Sequence, residues 1–126
     1  MEEIVYQRSQ YLRPMLTYYC AGCQHGNVSK LIAEVVEEMG LVNNFALCYG
    51  IGCYVAGLMN MDLDMFPALP GRACAVATGF KRCRPDQVIV TYQGDGDCAS
   101  IGLGDTLQAA ARGENFTTIM VNNQNY

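Results

Sequence analysis

With 126 residues and a formal net charge of −4, the chain is long enough for one domain and lacks the basic stripe that nucleic-acid binding requires. Apolar residues make up 51% and charged residues 16%, more core-forming surface than a small domain covers by itself, so a partner chain or further segment is expected against it. No basic stretch leads into a long apolar run, so neither a signal peptide nor a membrane span is expected.

Residues 1–19 form a lead-in with scattered apolar positions and no clear period. A helix is predicted over 27–39, with Val28, Leu31, Ile32, Val35, Val36 and Met39 on one face, Glu34, Glu37 and Glu38 off it, and Gly40 as its stop. Residues 44–52 (NFALCYGIG) read as a short buried strand ending in glycines, and 53–60 as one or two helical turns. MDLDMFPALPG, with two prolines, reads as a loop. The small apolar residues of 72–82 suit a tightly packed helix ended by Pro85. A strand over 88–92, a helix over 99–112 and a strand over 117–121 complete the chain. Strands joined through helices imply parallel pairing and right-handed crossovers. The fold class is α/β, a parallel sheet flanked by helices, read as one domain over 1–126.

Ligands of open parallel sheets bind beyond the carboxyl ends of the strands. Three segments follow predicted strands there: GIGC (50–53), GDGD (94–97) and NNQNY (122–126). Gly94 and Gly96 allow a sharp turn and close backbone approach, and the amides of the following helix favour a phosphate. Gly94, Asp95, Gly96 and Asp97 are read as the cofactor-binding turn, although Asp95 carries the wrong charge for direct phosphate contact. A Mg²⁺ shared between Asp95 and phosphate resolves the conflict, since Mg²⁺ takes oxygen ligands from both. Twenty-five residues separate Gly96 from Asn122, enough for one helix and one strand, which places both strand ends side by side. Asn123 then offers an amide oxygen and Asn125 a backbone carbonyl. The plain alternative is an acidic surface turn and a strand end capped by asparagines.

Seven cysteines, an odd number without a sign of secretion, point to reduced thiols, a cytoplasmic setting, and metal or cluster ligation. Cys20 and Cys23 have the CxxC spacing shared by zinc sites, redox dithiols and iron–sulfur clusters, with Gly22 permitting the turn between them. Cys74 and Cys98 read as small apolar side chains in helical contexts. His25, the single histidine, reads as ordering its loop or lying near a bound group.

GDG, some 25 residues and then NN resembles the thiamine-diphosphate motif, and TYQGDGDCASIG through AAARGENFTTIMVNNQNY resembles the beta subunit of 2-oxoacid:ferredoxin oxidoreductases of the 2-ketoisovalerate or 2-oxoglutarate type. CAGCQHG and GRACAVATGFKR extend the resemblance over most of the chain. It implies Mg²⁺ held by Asp95, Asn123 and the Asn125 carbonyl. It also implies a [4Fe-4S] cluster on Cys20, Cys23 and Cys53, the last in GIGC. Arg72 becomes a candidate for the cofactor's diphosphate or the substrate's carboxylate, beside Pro70 where the family usually has histidine.

The family's beta subunit is longer than this chain, so the resemblance implies an N-terminal portion whose fourth cluster ligand lies elsewhere. The implied reaction is oxidative decarboxylation of a small 2-oxoacid to an acyl-CoA, with coenzyme A as cosubstrate and electrons leaving to ferredoxin. Alpha and other subunits are the implied partners, with no nucleic acid or membrane. Two rivals stay open: a thiamine-dependent decarboxylase or synthase without a cluster, and a non-catalytic module with Zn²⁺ on Cys20, Cys23, Cys53 and Cys48.

Overall fold

The structure, a computed structural model, describes residues 3–124. Its elements in chain order are helix α1 (Gln24–Glu38), a 3₁₀ turn (Val42–Asn44), strand β1 (Phe45–Tyr49), helix α2 (Val55–Leu58), strand β2 (Met65–Pro67), helix α3 (Ala73–Cys83), strand β3 (Val88–Gly94), a π-helical turn (Gly96–Ile101), helix α4 (Leu103–Ala111) and strand β4 (Thr117–Val121). The four strands form one parallel sheet in the order β2-β1-β3-β4. The α/β class with a parallel sheet flanked by helices therefore holds.

Side-chain alternation along β1 sends its residues to two cores. Phe45 and Leu47 pack with Ile32, Ala33 and Val36 of α1 and with Leu58, Met61 and Tyr92. Ala46 and Cys48 face the opposite core with Ala73 and Ala77 of α3 and Ile89 of β3. The small residues of α3 let that helix approach the sheet closely, as its composition predicts.

The structure departs from the sequence reading at three places. First, the segment read as a two-proline loop contains β2, which pairs with β1 through Leu47–Met65, Cys48–Phe66 and Tyr49–Pro67. Proline is tolerated here because β2 is an edge strand with no neighbour on its outer side. Second, the helix expected over 99–112 is two pieces, the π turn and α4, meeting at Gly102. The Gly102 amide bonds to the Asp97 carbonyl at 2.9 Å, five residues back, so the extra residue is absorbed within the turn.

Third, α1 starts at Gln24 and is rotated from its apolar stripe. It buries His25, Ser29, Ile32, Ala33 and Val36, whereas Leu31 (56%), Val35 (48%) and Met39 (64%) are exposed. The rotation brings His25 against the buried Tyr92 and Ser29 against the half-buried Tyr19. It leaves an apolar groove of about 450 Å³ between α1 and the β3–β4 side of the sheet. Among the described residues no helix is long and apolar enough to cross a membrane.

Among its described residues the lead-in has no regular element beyond one antiparallel bridge, Leu12–Met61. It is tied to the segment after α2 by the Arg13–Asp62 ion pair at 2.6 Å.

Candidate functional site

From β1 the chain leaves towards β2 at one edge, and from β3 towards β4 at the other. Departures in opposite directions from two adjacent parallel strands open a crevice between their carboxyl ends. A cavity of about 270 Å³ lies there. Its walls include Cys53 after β1, Gly94–Asp97 after β3, and Asn123 after β4. The three segments singled out in the sequence thus converge on one opening, because the parallel register puts the ends of β1, β3 and β4 on the same edge.

The two aspartates of GDGD are placed differently. Asp97 is buried and its carboxylate accepts three hydrogen bonds: from the Tyr54 hydroxyl at 2.7 Å, the Gly71 amide at 2.5 Å and Gln93 Nε2 at 3.2 Å. It presses against the backbone of Gly50, where a Cβ would lie 1.9 Å from Asp97 Oδ2, so only glycine fits there. Asp95 is half-buried, lines the cavity, and has no hydrogen-bond or ion-pair partner among the described residues. An unneutralised carboxylate facing a cavity beside an asparagine is a donor set of hard oxygens, the chemistry that Mg²⁺ takes. The residues present fit a magnesium diphosphate. Asn123 lines the same cavity, whereas Asn125 lies outside the described residues.

An aromatic wall supports the opposite side. His25, at the start of α1, is buried and lines the cavity, with Nδ1 2.6 Å from the Tyr92 hydroxyl. Burial lowers the His25 pKa, which favours the neutral ring. Tyr92 stacks obliquely on Tyr54, ring centroids 5.1 Å apart, and burial raises the pKa of both phenols. Asp97 raises that of Tyr54 further, so both remain protonated donors. This wall joins the segment after Cys23 to the GDGD turn through Tyr92, Tyr54 and Asp97. In the sequence His25 stood out, but the tyrosines carried no signal, since their role depends on strand register.

The other candidate residues fall around the opening. Cys53 is exposed on the cavity wall. Cys20 is exposed and Cys23 partly so, in a turn closed by a 3.0 Å bond from the Cys23 amide to the Cys20 carbonyl, with Gly22 at φ +75°. Among the described residues, no three of His, Cys, Asp and Glu come together tightly enough to hold a single metal ion. Cys48 is wholly buried in the α3 core, with Sγ 3.5 Å from the Ala73 carbonyl. That placement removes it from a four-cysteine zinc site with Cys20, Cys23 and Cys53. Of the three candidate thiols Cys53 lines the cavity, whereas Cys20 and Cys23 are not among its lining residues. Arg72 caps α3 and pairs with Asp105 at 2.8 Å, more than half exposed and outside the cavity lining.

Comparison with known proteins agrees with this geometry. The family of thiamine pyrophosphate enzymes, C-terminal TPP binding domain, matches residues 50–126, which contain GIGC, GDGD and the asparagines. The chain is 43% identical over 122 residues to ketoisovalerate oxidoreductase subunit VorA of Methanothermobacter thermautotrophicus, covering 97% of this chain and 26% of that protein. It is 32% identical over 120 residues to 2-oxoglutarate synthase subunit KorB of Archaeoglobus fulgidus, covering 94% and 45%.

A solved structure of 2-oxoglutarate:ferredoxin oxidoreductase from Magnetococcus marinus, with 2-oxoglutarate, coenzyme A and succinyl-CoA bound, aligns at a TM-score of 0.82 and 35% identity. The alignment covers 90% of this chain and 39% of that one. The chain thus spans less than half the length of each of these relatives. By its matched segment, the chain belongs to the family of thiamine pyrophosphate enzymes, C-terminal TPP binding domain.

Proposed function

We propose that the chain is the thiamine-diphosphate-binding domain of a subunit of a 2-oxoacid:ferredoxin oxidoreductase. In this reading a 2-oxoacid and coenzyme A become an acyl-CoA and CO₂, and electrons pass to ferredoxin within a hetero-oligomer that includes an alpha subunit. The observation that carries it is the unpaired Asp95 carboxylate in the crevice between β1 and β3, with Asn123 on the same wall.

Asp95 and Asn123 are the side chains that would hold Mg²⁺, joined by the Asn125 carbonyl, while Gly94 and Gly96 let the backbone approach the diphosphate. When bound, thiamine diphosphate supplies the electron sink for decarboxylation. Asp97, saturated by its three donors, fixes the turn so that Asp95 meets the metal at little reorganisation cost. His25, neutral and held by Tyr92, forms a polar wall without adding charge beside the cofactor. Cys20, Cys23 and Cys53 are proposed ligands of a [4Fe-4S] cluster completed by a residue from outside the described chain. Arg72 is assigned to the outer approach, released from Asp105 by a phosphate or carboxylate. Seven free thiols suit a reducing cytoplasm.

The test is titration of thiamine diphosphate into the anaerobically purified complex, with and without Mg²⁺, after measuring iron. Binding should require Mg²⁺, and Asp95→Asn should weaken it by roughly tenfold or more. Unchanged affinity in a folded Asp95→Asn complex would remove the metal assignment. Zinc in place of iron would remove the cluster.

A further inference from the structure

Cys74 and Cys98 lie 24 positions apart in sequence and meet behind the cavity. Cys74 is in the first turn of α3 and Cys98 in the π turn, 1% and 3% exposed respectively. Each sulfur is 3.6 Å from the same Thr106 hydroxyl, which places the two thiols side by side. The elements that carry them already touch at the backbone. A Cβ on Gly71, three residues before Cys74, would lie 2.8 Å from the amide nitrogen of Gly102, four residues after Cys98.

We propose that Cys74 and Cys98 are a redox-active dithiol that peroxide closes to a disulfide, clamping the start of α3 to the turn that follows Asp95. Donation from Cys98 holds Cys74 below the usual thiol range, at about 6, helped by the Thr106, Thr118 and Thr91 hydroxyls. Gln93 Oε1, 3.4 Å away, opposes this by accepting from the thiol form. Cys98 is pushed up, first by its bond to Cys74 and then by burial. One sulfur is thereby set as nucleophile and the other as proton holder. The third thiol in this core, Cys48, is raised to about 12 chiefly by burial and stays out of the exchange.

In the reaction the Cys74 thiolate attacks one peroxide oxygen, the O–O bond breaks, and with a proton one water leaves, giving Cys74 sulfenic acid. Cys98 sulfur then attacks the Cys74 sulfur, the S–O bond breaks and a second water leaves. Two thiols lose two electrons and one hydrogen peroxide becomes two waters. Cys98 lies just under the surface, since Ala99 and Ser100, which follow it directly, are exposed. With Gly71 and Gly102 already in contact, closure must shift the turn, and with it the Gly71 amide that holds Asp97.

The disulfide stands independently of the cofactor reading; only its effect on the cofactor rests on the proposed function. The experiment treats the anaerobic complex with stoichiometric hydrogen peroxide, denatures it in an alkylating reagent and digests it without reductant. A Cys74–Cys98 linked peptide that a dithiol reductant splits is the expected product. Both residues recovered alkylated, or linked only to other cysteines, would overturn the proposal whatever the chain binds. In parallel, peroxide should weaken Mg²⁺-dependent thiamine diphosphate binding by roughly tenfold in the wild type but not in Cys98→Ser or Cys98→Ala. An equal loss in those variants would overturn the coupling. Because the linked peptide is read on wild-type protein, folding of the variants does not decide the outcome.

Discussion

Asp95 and Asp97 occupy one turn, two positions apart, and their surroundings assign them opposite work. Asp97 points into the protein, accepts three hydrogen bonds and fills the space left by Gly50. Asp95 lines the cavity and takes nothing from the described chain. A buried carboxylate is tolerated only when its desolvation is compensated, and Asp97 has that compensation from the protein itself. Asp95 leaves its compensation to a ligand. The lesson is that a short acidic motif can hold a structural residue and a ligand-binding one at once, and only their partners distinguish them.

Substitutions should separate the two roles. The largest loss is expected for Asp97→Ala, which strands the Tyr54 hydroxyl, the Gly71 amide and Gln93 in the interior. It should cost about 3–5 kcal/mol of unfolding free energy, read from urea denaturation of the anaerobic protein. A loss near zero would mean that Asp97 does not hold the turn.

Tyr54→Phe removes one of the three donors and keeps the ring packing, so about 2 kcal/mol is expected by the same measurement. It should leave Mg²⁺-dependent binding measurable, because the other two donors remain. Asp95→Asn should change stability least, within about 0.5 kcal/mol, since no described side chain depends on it. A destabilisation as large as that of Asp97→Ala would collapse the distinction between the two aspartates.

The cysteines divide along the same line. Cys20, Cys23 and Cys53 lie at or near the surface; the CxxC spacing marked the first two as candidate ligands and the family resemblance added Cys53. Cys48, Cys74 and Cys98 are buried, which agrees with the sequence reading of Cys74 and Cys98 as small apolar side chains and removes Cys48 from a surface zinc site. That Cys74 and Cys98 both reach the Thr106 hydroxyl was not legible, because nothing in a 24-residue separation tells which side of β3 each element packs on.

Much of the fold followed from local pattern. The apolar runs of β1 and β3 and the small residues of α3 declare their elements, since burial on both faces and close packing leave little choice of residue type, and β4 follows from its β-branched run. β2 was hidden because Pro67 reads as a breaker, and it does not break an edge strand. The π turn was hidden because its residues suit an α-helix, and the extra residue arises from seating Asp97 against Gly50 and Gly71. The rotation of α1 was hidden because periodicity weighs apolarity alone. His25 and Ser29 are drawn inward by tyrosines distant in sequence.

By itself the sequence determined the α/β class, the three segments at the carboxyl edge and the thiamine-diphosphate resemblance, because these depend on residue type and short spacing. Tertiary structure alone decided that Asp95 is open and Asp97 closed, that His25 faces the cavity, that Arg72 stands aside and that two distant cysteines meet. Each of these depends on strand order and on which donors reach a buried group, and neither is encoded within any one stretch of chain.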